Sequence, residues 1–221
     1  MFTNLLEPFN ENILKLINDP IVGIDVLIDN NKLNLNEFNV SQCEHYISYK
    51  KGVLNFSAFY SKDDFSFKLY LKVLFNAKTK DLFSTKLTIS PNNNFNCNFT
   101  FIPYLSKDIF HKDFKTICKD ISSKGAYMCL LNNCDDNITT YAMKCEVFEG
   151  DFKKTYFNTE DNKDELLSYS LKAKSLAGSP VTISKYCCIL QGTCGNEEYL
   201  NKKALDLVKK SCIKGFDTNK R

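Results

Sequence analysis

Cysteine is the most reactive residue type of this chain, with ten cysteines among 221 residues. Their number is even, and they form no Cys-x-x-Cys pair or histidine-rich cluster, which favours disulfide bonds over a metal site. We therefore expect up to five bridges, of undetermined connectivity, in an oxidising compartment. The alternative is a cytosolic protein with reduced, buried thiols. The disulfide candidates are Cys43, Cys97, Cys118, Cys129, Cys134, Cys145, Cys187, Cys188, Cys194 and Cys212.

Few residues could carry out catalysis. Of the two histidines, His45 lies two positions after Cys43. In a strand, the two side chains would point to the same face and could form a thiol–imidazole pair. A bridged cysteine beside a surface histidine explains the same pattern. The sequence has no Gly-x-Ser-x-Gly elbow, P-loop or dinucleotide fingerprint. We therefore assign no catalytic residue and predict a protein that is not an enzyme.

Metal binding has equally little support. Cys129-x4-Cys134 and Cys187-Cys188-x5-Cys194 could supply thiolates, but structural zinc sites usually have tighter paired spacings, often with histidine. The carboxylate clusters fall in turns, and none matches an EF-hand loop. We predict no metal and no cofactor, and the sequence leaves the ligand-binding residues unknown.

Composition and charge exclude two classes of partner. The net charge is +3, with 29 basic and 26 acidic residues interspersed, which is not a nucleic-acid-binding footprint. The longest apolar stretches fall short of the about 18 residues of a transmembrane helix.

The first residues of the sequence do not have the pattern of a signal peptide. With the cysteines, this predicts a secreted or ER-lumenal protein whose signal peptide has been removed.

Four Asn-x-Ser/Thr sequons are glycosylation candidates, at Asn39, Asn55, Asn98 and Asn137. An asparagine-rich chain would contain about as many by chance. Asn55 and Asn98 each alternate with the apolar residues of a predicted strand, so they would face solvent, where a glycan could sit.

Alternation of apolar and polar residues sets the fold class. Six apolar residues of Phe65–Phe75 share one face, which is typical of a half-buried antiparallel strand. About nine or ten such strands predict a mainly β fold, a disulfide-stapled two-sheet antiparallel β-sandwich over residues 1–221 as a single domain. The other strands are predicted at Ile21–Asp29, Cys43–Tyr49, Val53–Tyr60, Phe83–Ser90, Phe95–Ile102, Gly125–Leu131, Ile138–Phe148, Tyr169–Lys174 and Val181–Leu190.

Three short peripheral helices are predicted from spacings of three and four. The first, Phe9–Ile17, lies in an N-terminal helical segment at 1–20. The second is Lys107–Ile121, with Ser106 as its N-cap. The third is a C-terminal helix at 196–212, capped by Asn196.

Four short segments near the two ends of the chain occur in an order typical of one protein family. They are Val22-Gly23-Ile24-Asp25-Val26-Leu27-Ile28, Gln42-Cys43, Gly192-Thr193-Cys194-Gly195-Asn196-Glu197-Glu198-Tyr199-Leu200 and Leu207-Val208-Lys209-Lys210-Ser211-Cys212-Ile213. In these segments the chain resembles the poxvirus immune-evasion superfamily, which includes the secreted chemokine-binding proteins. The resemblance implies a secreted β-sandwich that sequesters a host immune protein, namely a chemokine, a cytokine or an MHC class I molecule. Glycosaminoglycan binding is also open, whereas the mildly basic charge disfavours basic chemokines.

A second hypothesis comes from a different class. It is a secretory-pathway enzyme, a hydrolase or a thiol-redox protein, that uses a cysteine or carboxylate site. Such an enzyme requires a deep pocket with convergent polar groups and, for thiol chemistry, a free cysteine of low pKa.

Overall fold

The computed structural model describes residues 23–76, 79, 81–92, 96–107, 113–154, 157–160 (without side chains) and 166–216. Within this part of the chain, the strands form two antiparallel sheets packed face to face as a sandwich. The predictions of a mainly β fold and of a two-sheet sandwich are therefore confirmed. The predicted N-terminal helix at Phe9–Ile17, with the whole segment 1–20, lies outside the described residues.

The larger sheet has nine strands in the order β3-β4-β5-β6-β14-β10-β9-β8, with β11 paired to β10. Every pairing is antiparallel, and most of these strands are long because their alternation is uninterrupted. They are β3 Asn39–Ser48, β4 Val53–Lys62, β5 Phe65–Phe75, β6 Leu82–Pro91, β8 Phe114–Ser122, β9 Gly125–Asn132, β10 Asn137–Glu149, β11 Phe152–Lys154 and β14 Val181–Thr193.

The smaller sheet has five strands in the order β12-β13-β7-β1-β2 and covers one face of the larger sheet. A one-turn 3-10 helix, Leu35–Glu37, connects it to β3. Its strands are β1 Ile24–Ile28, β2 Asn31–Lys32, β7 Cys97–Ser106, β12 Phe157–Glu160 and β13 Leu166–Ser175.

The main core lies between the two sheets and is rich in phenylalanine and leucine. Alternate residues of β5 point into it, as the spacing of two in Phe65–Phe75 predicts. Burial of these side chains is the main stabilising contribution, at about 25 cal/mol per Å² of apolar surface. The largest fully buried apolar side chains include Phe67, Leu69, Leu71, Leu87, Ile89, Phe99 and Phe101.

One lysine lies inside this core. Lys185 belongs to the inward-facing set of β14, between Ile183 and Cys187, and its relative exposure is 0%. Its ammonium donates to the carbonyl oxygens of Gly23 at 3.1 Å and Tyr104 at 2.8 Å. Burial lowers the pKa of Lys185 because an apolar surrounding disfavours the charged form.

A single helix is found in the described residues apart from the 3-10 turn: α1, Glu197–Lys214. It lies on the outer face of the larger sheet, where residues four apart form a buried stripe: Leu200, Ala204, Val208 and Cys212. The predicted cap is wrong, since Asn196 makes no side-chain cap hydrogen bond and its amide donates to the Thr193 hydroxyl at 3.0 Å. No described helix is long and apolar enough to cross a membrane.

The predicted helix Lys107–Ile121 is wrong over its second half, which forms strand β8. The register of β8 against β9 shifts between Thr116 and Cys118, so Ile117 is an extra residue in the ladder. Such a bulge breaks strict alternation. The apolar residues around it therefore take on spacings of three and four that imitate a helix. Residues 108–112, in the first half, lie outside the described part.

The ten cysteines are all unbridged in this structure. The two sheets pack against each other without a disulfide in the described residues, and the predicted disulfide-stapled character stays a prediction. Several cysteines instead fill apolar space, as free cysteine commonly does. Cys187 lies in the core between the sheets, and Cys188 lies in the second cluster beneath α1.

Candidate functional site

A groove of about 600 Å³ lies on the outer face of β3, β4, β5 and β6. Its volume falls within the about 300–1,000 Å³ of small-molecule sites. The groove lies beside α1 on the sheet face opposite the main core. It is lined by Glu44, His45, Tyr46, Asn55, Phe56, Ser57, Tyr70, Leu71, Lys72, Lys86 and Thr88.

Register places the polar lining residues in two rows across the strands. In the first row, Tyr46 is opposite Asn55, Asn55 is opposite Lys72, and Lys72 is opposite Lys86. Directly opposite residues of an antiparallel pair project from the same face with Cβ atoms about 5 Å apart. The amide and the two ammonium groups therefore converge on one strip of the surface.

The second row runs beside the first. Ser57 is opposite Tyr70, and Tyr70 is opposite Thr88. The Thr88 hydroxyl lies 2.9 Å from that of Thr182 on the neighbouring strand. The two rows together present donors and acceptors on both sides of an exposed aromatic ring.

Two tyrosines give the groove its aromatic surface. The exposed fraction is 56% for Tyr46 and 41% for Tyr70, which is high for large rings on a long sheet. The Lys68 ammonium lies 4.9 Å from the Tyr70 ring centroid. A hydrogen bond from Lys68 to Tyr70 raises the pKa of Lys68. The Tyr70 hydroxyl therefore already accepts a hydrogen bond from Lys68, which helps to fix the position of the ring.

The Lys72–Lys86 pair lies at the α1 side of the groove. Two like charges opposite each other on neighbouring strands repel. Both ammonium groups lie against the Phe216 ring, at 5.8 Å and 5.9 Å from its centroid, in cation–π geometry that offsets part of the repulsion. This end of the groove is therefore cationic and well suited to electron-rich oxygen atoms.

Three glutamates outside the groove have specific partners. The largely buried Glu146 contacts Lys153 and accepts from the Tyr186 hydroxyl at 3.2 Å. Lys62 lies 2.6 Å from Glu37 and lowers its pKa. The backbone N–H of Gly195 lowers the pKa of Glu197. A general acid requires the opposite shift, since it must stay protonated near neutral pH.

The predicted thiol–imidazole pair does not form an activated nucleophile. Cys43 packs against the core from β3, and burial raises its pKa, whereas a nucleophilic thiol needs a lowered pKa. His45 lies at the groove. The pKa is also raised for Cys97, Cys129, Cys145, Cys187, Cys188, Cys194 and Cys212. The described residues contain no group of three or more metal-ligating side chains.

The sequon asparagines lie at or near the surface. Asn39, Asn98 and Asn137 are exposed, and Asn55 is half-buried in the groove wall. Their glycosylation stays a prediction, as do secretion and removal of a signal peptide. The sequence interpretation placed Asn55 on the solvent side of its strand but did not place it in a groove, because that requires the pairing of four strands.

The fold and the groove together define a β-sandwich domain with a polar and aromatic surface suited to a hydroxyl-rich ligand. The family model for glycosyl hydrolase family 65, N-terminal domain, matches residues 9–221. The chain therefore belongs to this family. The comparison with curated proteins gave no match.

The solved structures that resemble the chain include the following two. A protein assigned as a kojibiose phosphorylase, from human microbiome, has a TM-score of 0.72 and 14% identity over 89% of this chain and 26% of its own. The heparan sulfate lyase HepC mutant from Pedobacter heparinus has a TM-score of 0.42 and 9% identity over 76% of this chain and 24% of its own. The first likeness shows the fold, and the second supports no argument. The chain spans about a quarter of the length of each structure.

Family membership corrects four predictions. The resemblance to the poxvirus immune-evasion superfamily is wrong, and so are the viral immunomodulator function and the host immune partner, whether chemokine, cytokine or MHC class I molecule. The prediction that the protein is not an enzyme is also wrong, because the matching family model is that of a glycosyl hydrolase family. The physical reason is that the short segments that suggested the resemblance are ordinary elements of this fold: the first forms β1, the last lies in α1, and Cys194 between them is exposed and unbridged.

Proposed function

We propose that the chain is the sandwich domain of a glycoside hydrolase or phosphorylase and that its outer groove holds a saccharide. The observation that carries the proposal is the groove of β3 to β6 in a chain of this family. The enzyme hypothesis drawn from the sequence is thereby retained in a different form. Its reactive cysteine or carboxylate is replaced by a binding surface.

Each group in the groove has a counterpart on a sugar. A pyranose ring has an apolar C–H face, which packs on an aromatic ring such as Tyr70. Its hydroxyls both donate and accept, so they match the Asn55 amide and the hydroxyls of Ser57 and Thr88. The ammonium groups of the cationic end donate only, and they would bind sugar oxygens or a phosphate group.

Catalysis is proposed to lie elsewhere in the enzyme. The described carboxyl groups with a shifted pKa, Glu37 and Glu197, are shifted downward, against the needs of a general acid. A domain covering about a quarter of a kojibiose phosphorylase would bind or position saccharide for a catalytic unit outside these residues. Kojibiose is accordingly the first ligand to test.

The experiment titrates the 221-residue chain with kojibiose and, in parallel, maltose, and follows backbone amide NMR shifts. The expected result is saturable binding with shifts confined to β3–β6. Tyr70→Ala should weaken binding about tenfold, equivalent to about 1.4 kcal/mol of stacking. The chain alone should neither hydrolyse kojibiose nor release glucose 1-phosphate from it in phosphate buffer.

Tyr199→Ala is the matched control. Tyr199 is also an exposed tyrosine with a lysine over its ring, since the Lys203 ammonium lies 5.8 Å from its centroid, but it lies on α1 outside the groove. Its binding curve should equal that of the wild type. Equal loss in both variants, or no saturable binding by the wild type, would contradict the proposal and leave the groove as a surface for another part of the enzyme.

A further inference from the structure

We propose that Cys118 and Cys129 are a redox-active pair that forms a disulfide between β8 and β9 beneath the C-terminal helix. The proposal concerns a different face of the molecule from the groove and does not depend on saccharide binding. It also differs from a general expectation of bridges, because it selects one pair out of ten cysteines.

Strand register selects the pair. Cys118 and Cys129 are Cα partners in the antiparallel ladder of β8 and β9, and Cys118 is close enough to contribute, after burial, to the raised pKa of the Cys129 thiol. Partner Cα atoms in such a ladder are about 4.5–5.5 Å apart, which lies inside the about 4.4–6.8 Å that a disulfide requires. The two sulfur atoms can therefore bond without a change of register.

No other cysteine of the described ladders has a cysteine partner. Cys145 is opposite Lys185, Cys97 is opposite Ser175, and Cys187 and Cys188 face Met143 and Ala142 on one side and Phe83 and Leu82 on the other. Cys43 lies where the β3 register shifts. The remaining three, Cys134, Cys194 and Cys212, lie in turns and in α1.

The two thiols differ in access. Cys118 is half-buried and lines a surface cavity of about 440 Å³ together with Tyr127 and Asn201. Cys129 is fully buried, and burial raises its pKa to about 11. An oxidant therefore meets Cys118 first, and Cys129 acts as the resolving thiol.

The oxidant class is a small disulfide such as oxidised glutathione. The Cys118 thiolate attacks one glutathione sulfur, forms a mixed disulfide and releases one glutathione thiolate, which takes up a proton. The Cys129 thiolate then attacks the Cys118 sulfur and displaces the second glutathione thiolate. The protein loses two electrons and two protons, and the glutathione disulfide gains them. Because the second step needs the Cys129 thiolate, its rate should rise up to about tenfold per pH unit below pH 11.

The bridge would act on the contact between helix and sheet. Asn201 of α1 donates its amide to Cys118 Sγ at 3.3 Å, and the Thr140 hydroxyl donates to Asn201 Oδ1 at 2.8 Å and lies 3.5 Å from Cys129 Sγ. β8 is last in the sheet order and pairs with β9 alone among the described strands. Oxidation would therefore fix β8 to the sheet at the point where α1 packs.

The test uses a Cys134→Ser/Cys194→Ser background, which removes the two exposed thiols and keeps the pair. The protein is incubated with oxidised glutathione at pH 7 and pH 8, quenched with acid and alkylated. The expected products are a mass loss of about 2 Da and a tryptic species that links residues 116–119 to residues 125–144. The linked species should form up to about ten times faster at pH 8, and amide hydrogen exchange in β8 should slow.

Three outcomes would overturn the proposal. They are a stable glutathione adduct on Cys118 without the linked species, full alkylation of both thiols after oxidation, and a disulfide that joins either cysteine to another partner. Cys118→Ser and Cys118→Ala in the same background should abolish the mass loss. The measurement on the background protein itself needs neither variant to fold.

Discussion

Replacing Lys185 with methionine tests how the core tolerates an amine. The side chain is fully buried, and its nitrogen donates to two backbone carbonyls. Burial is the largest cause of its lowered pKa. The neighbouring Cys145 and Cys187 would raise the pKa of the lysine only as thiolates, and burial raises the pKa of both thiols. The neutral amine is therefore the form favoured by the fold.

The sign of the pH dependence follows from this shift. Between the folded pKa of Lys185 and its ordinary value of about 10.4, the unfolded chain binds more protons than the folded one, so stability from this group is present at high pH and lost as pH falls. The slope is at most about 1.4 kcal/mol per pH unit in that window. Near pH 10, Lys185→Met should cost about 2 kcal/mol, because two neutral hydrogen bonds are lost. Toward pH 7 this deficit should shrink.

The assay is urea unfolding of both proteins in reducing buffer from pH 7 to pH 10. The wild type alone is unsuitable, because buried thiols act in the opposite direction. The pKa of Cys145, Cys188 and Cys212 is about 12 in the fold, against about 8.5 for an ordinary thiol. Stability from these groups is full below about pH 8.5 and is lost as pH rises toward 12. Subtracting the variant from the wild type removes most of this common loss.

Lys144→Met is the control for this experiment. Lys144 also donates to two backbone carbonyls, those of Ser123 at 2.8 Å and Lys124 at 3.2 Å, but at the surface. The difference between wild type and Lys144→Met should not vary with pH over this range. A Lys185→Met difference equally flat would refute the reasoning, since it would mean that burial does not shift the proton equilibrium.

Two further predictions concern the backbone and the helix contact. Gly52→Ala should destabilise the protein by about 1–3 kcal/mol more than Gly150→Ala in urea unfolding, because both glycines have φ near +57° but only at Gly52 would the new Cβ lie 2.5 Å from the Phe75 carbonyl oxygen. Equal costs would show that the strand ends adjust freely. Asn201→Leu should lower the free energy of unfolding by about 1–3 kcal/mol, because it removes the two hydrogen bonds from α1 to the sheet described above. The neighbouring exposed Lys202→Leu should change it by less than about 0.5 kcal/mol, and a similar loss in both would argue against a specific contact.

Strands with unbroken alternation could be predicted from the sequence almost to the residue. Phe65–Phe75 has the same bounds in the structure, and Val181–Leu190 differs only by a three-residue extension. Alternation suffices there because one face is buried and the other is not. It failed for β8, where the extra residue Ile117 shifts the pattern by one position within the strand.

The candidate site was much harder to predict than the fold. Tyr70 and Lys72 alternate with leucines, so in sequence they have the pattern of an ordinary solvent-facing side of a strand. They become a groove only when the register sets them beside Asn55 and Lys86, and register is a tertiary property. The buried lysine, by contrast, has a sequence signal: Lys185 interrupts the otherwise apolar inward face of β14, which indicates a buried amine.

The irregular start of β3 has a consequence for association between molecules. β3 is first in the order of the larger sheet, so one row of its backbone N–H and C=O groups has no neighbouring strand among those described. Its register shifts between Ser41 and Glu44, and Gln42 has a φ of +51°. A strand kinked in this way cannot offer a straight row of hydrogen-bonding groups to a strand of another chain. The bulge therefore protects a long, phenylalanine-rich sheet against edge-to-edge aggregation.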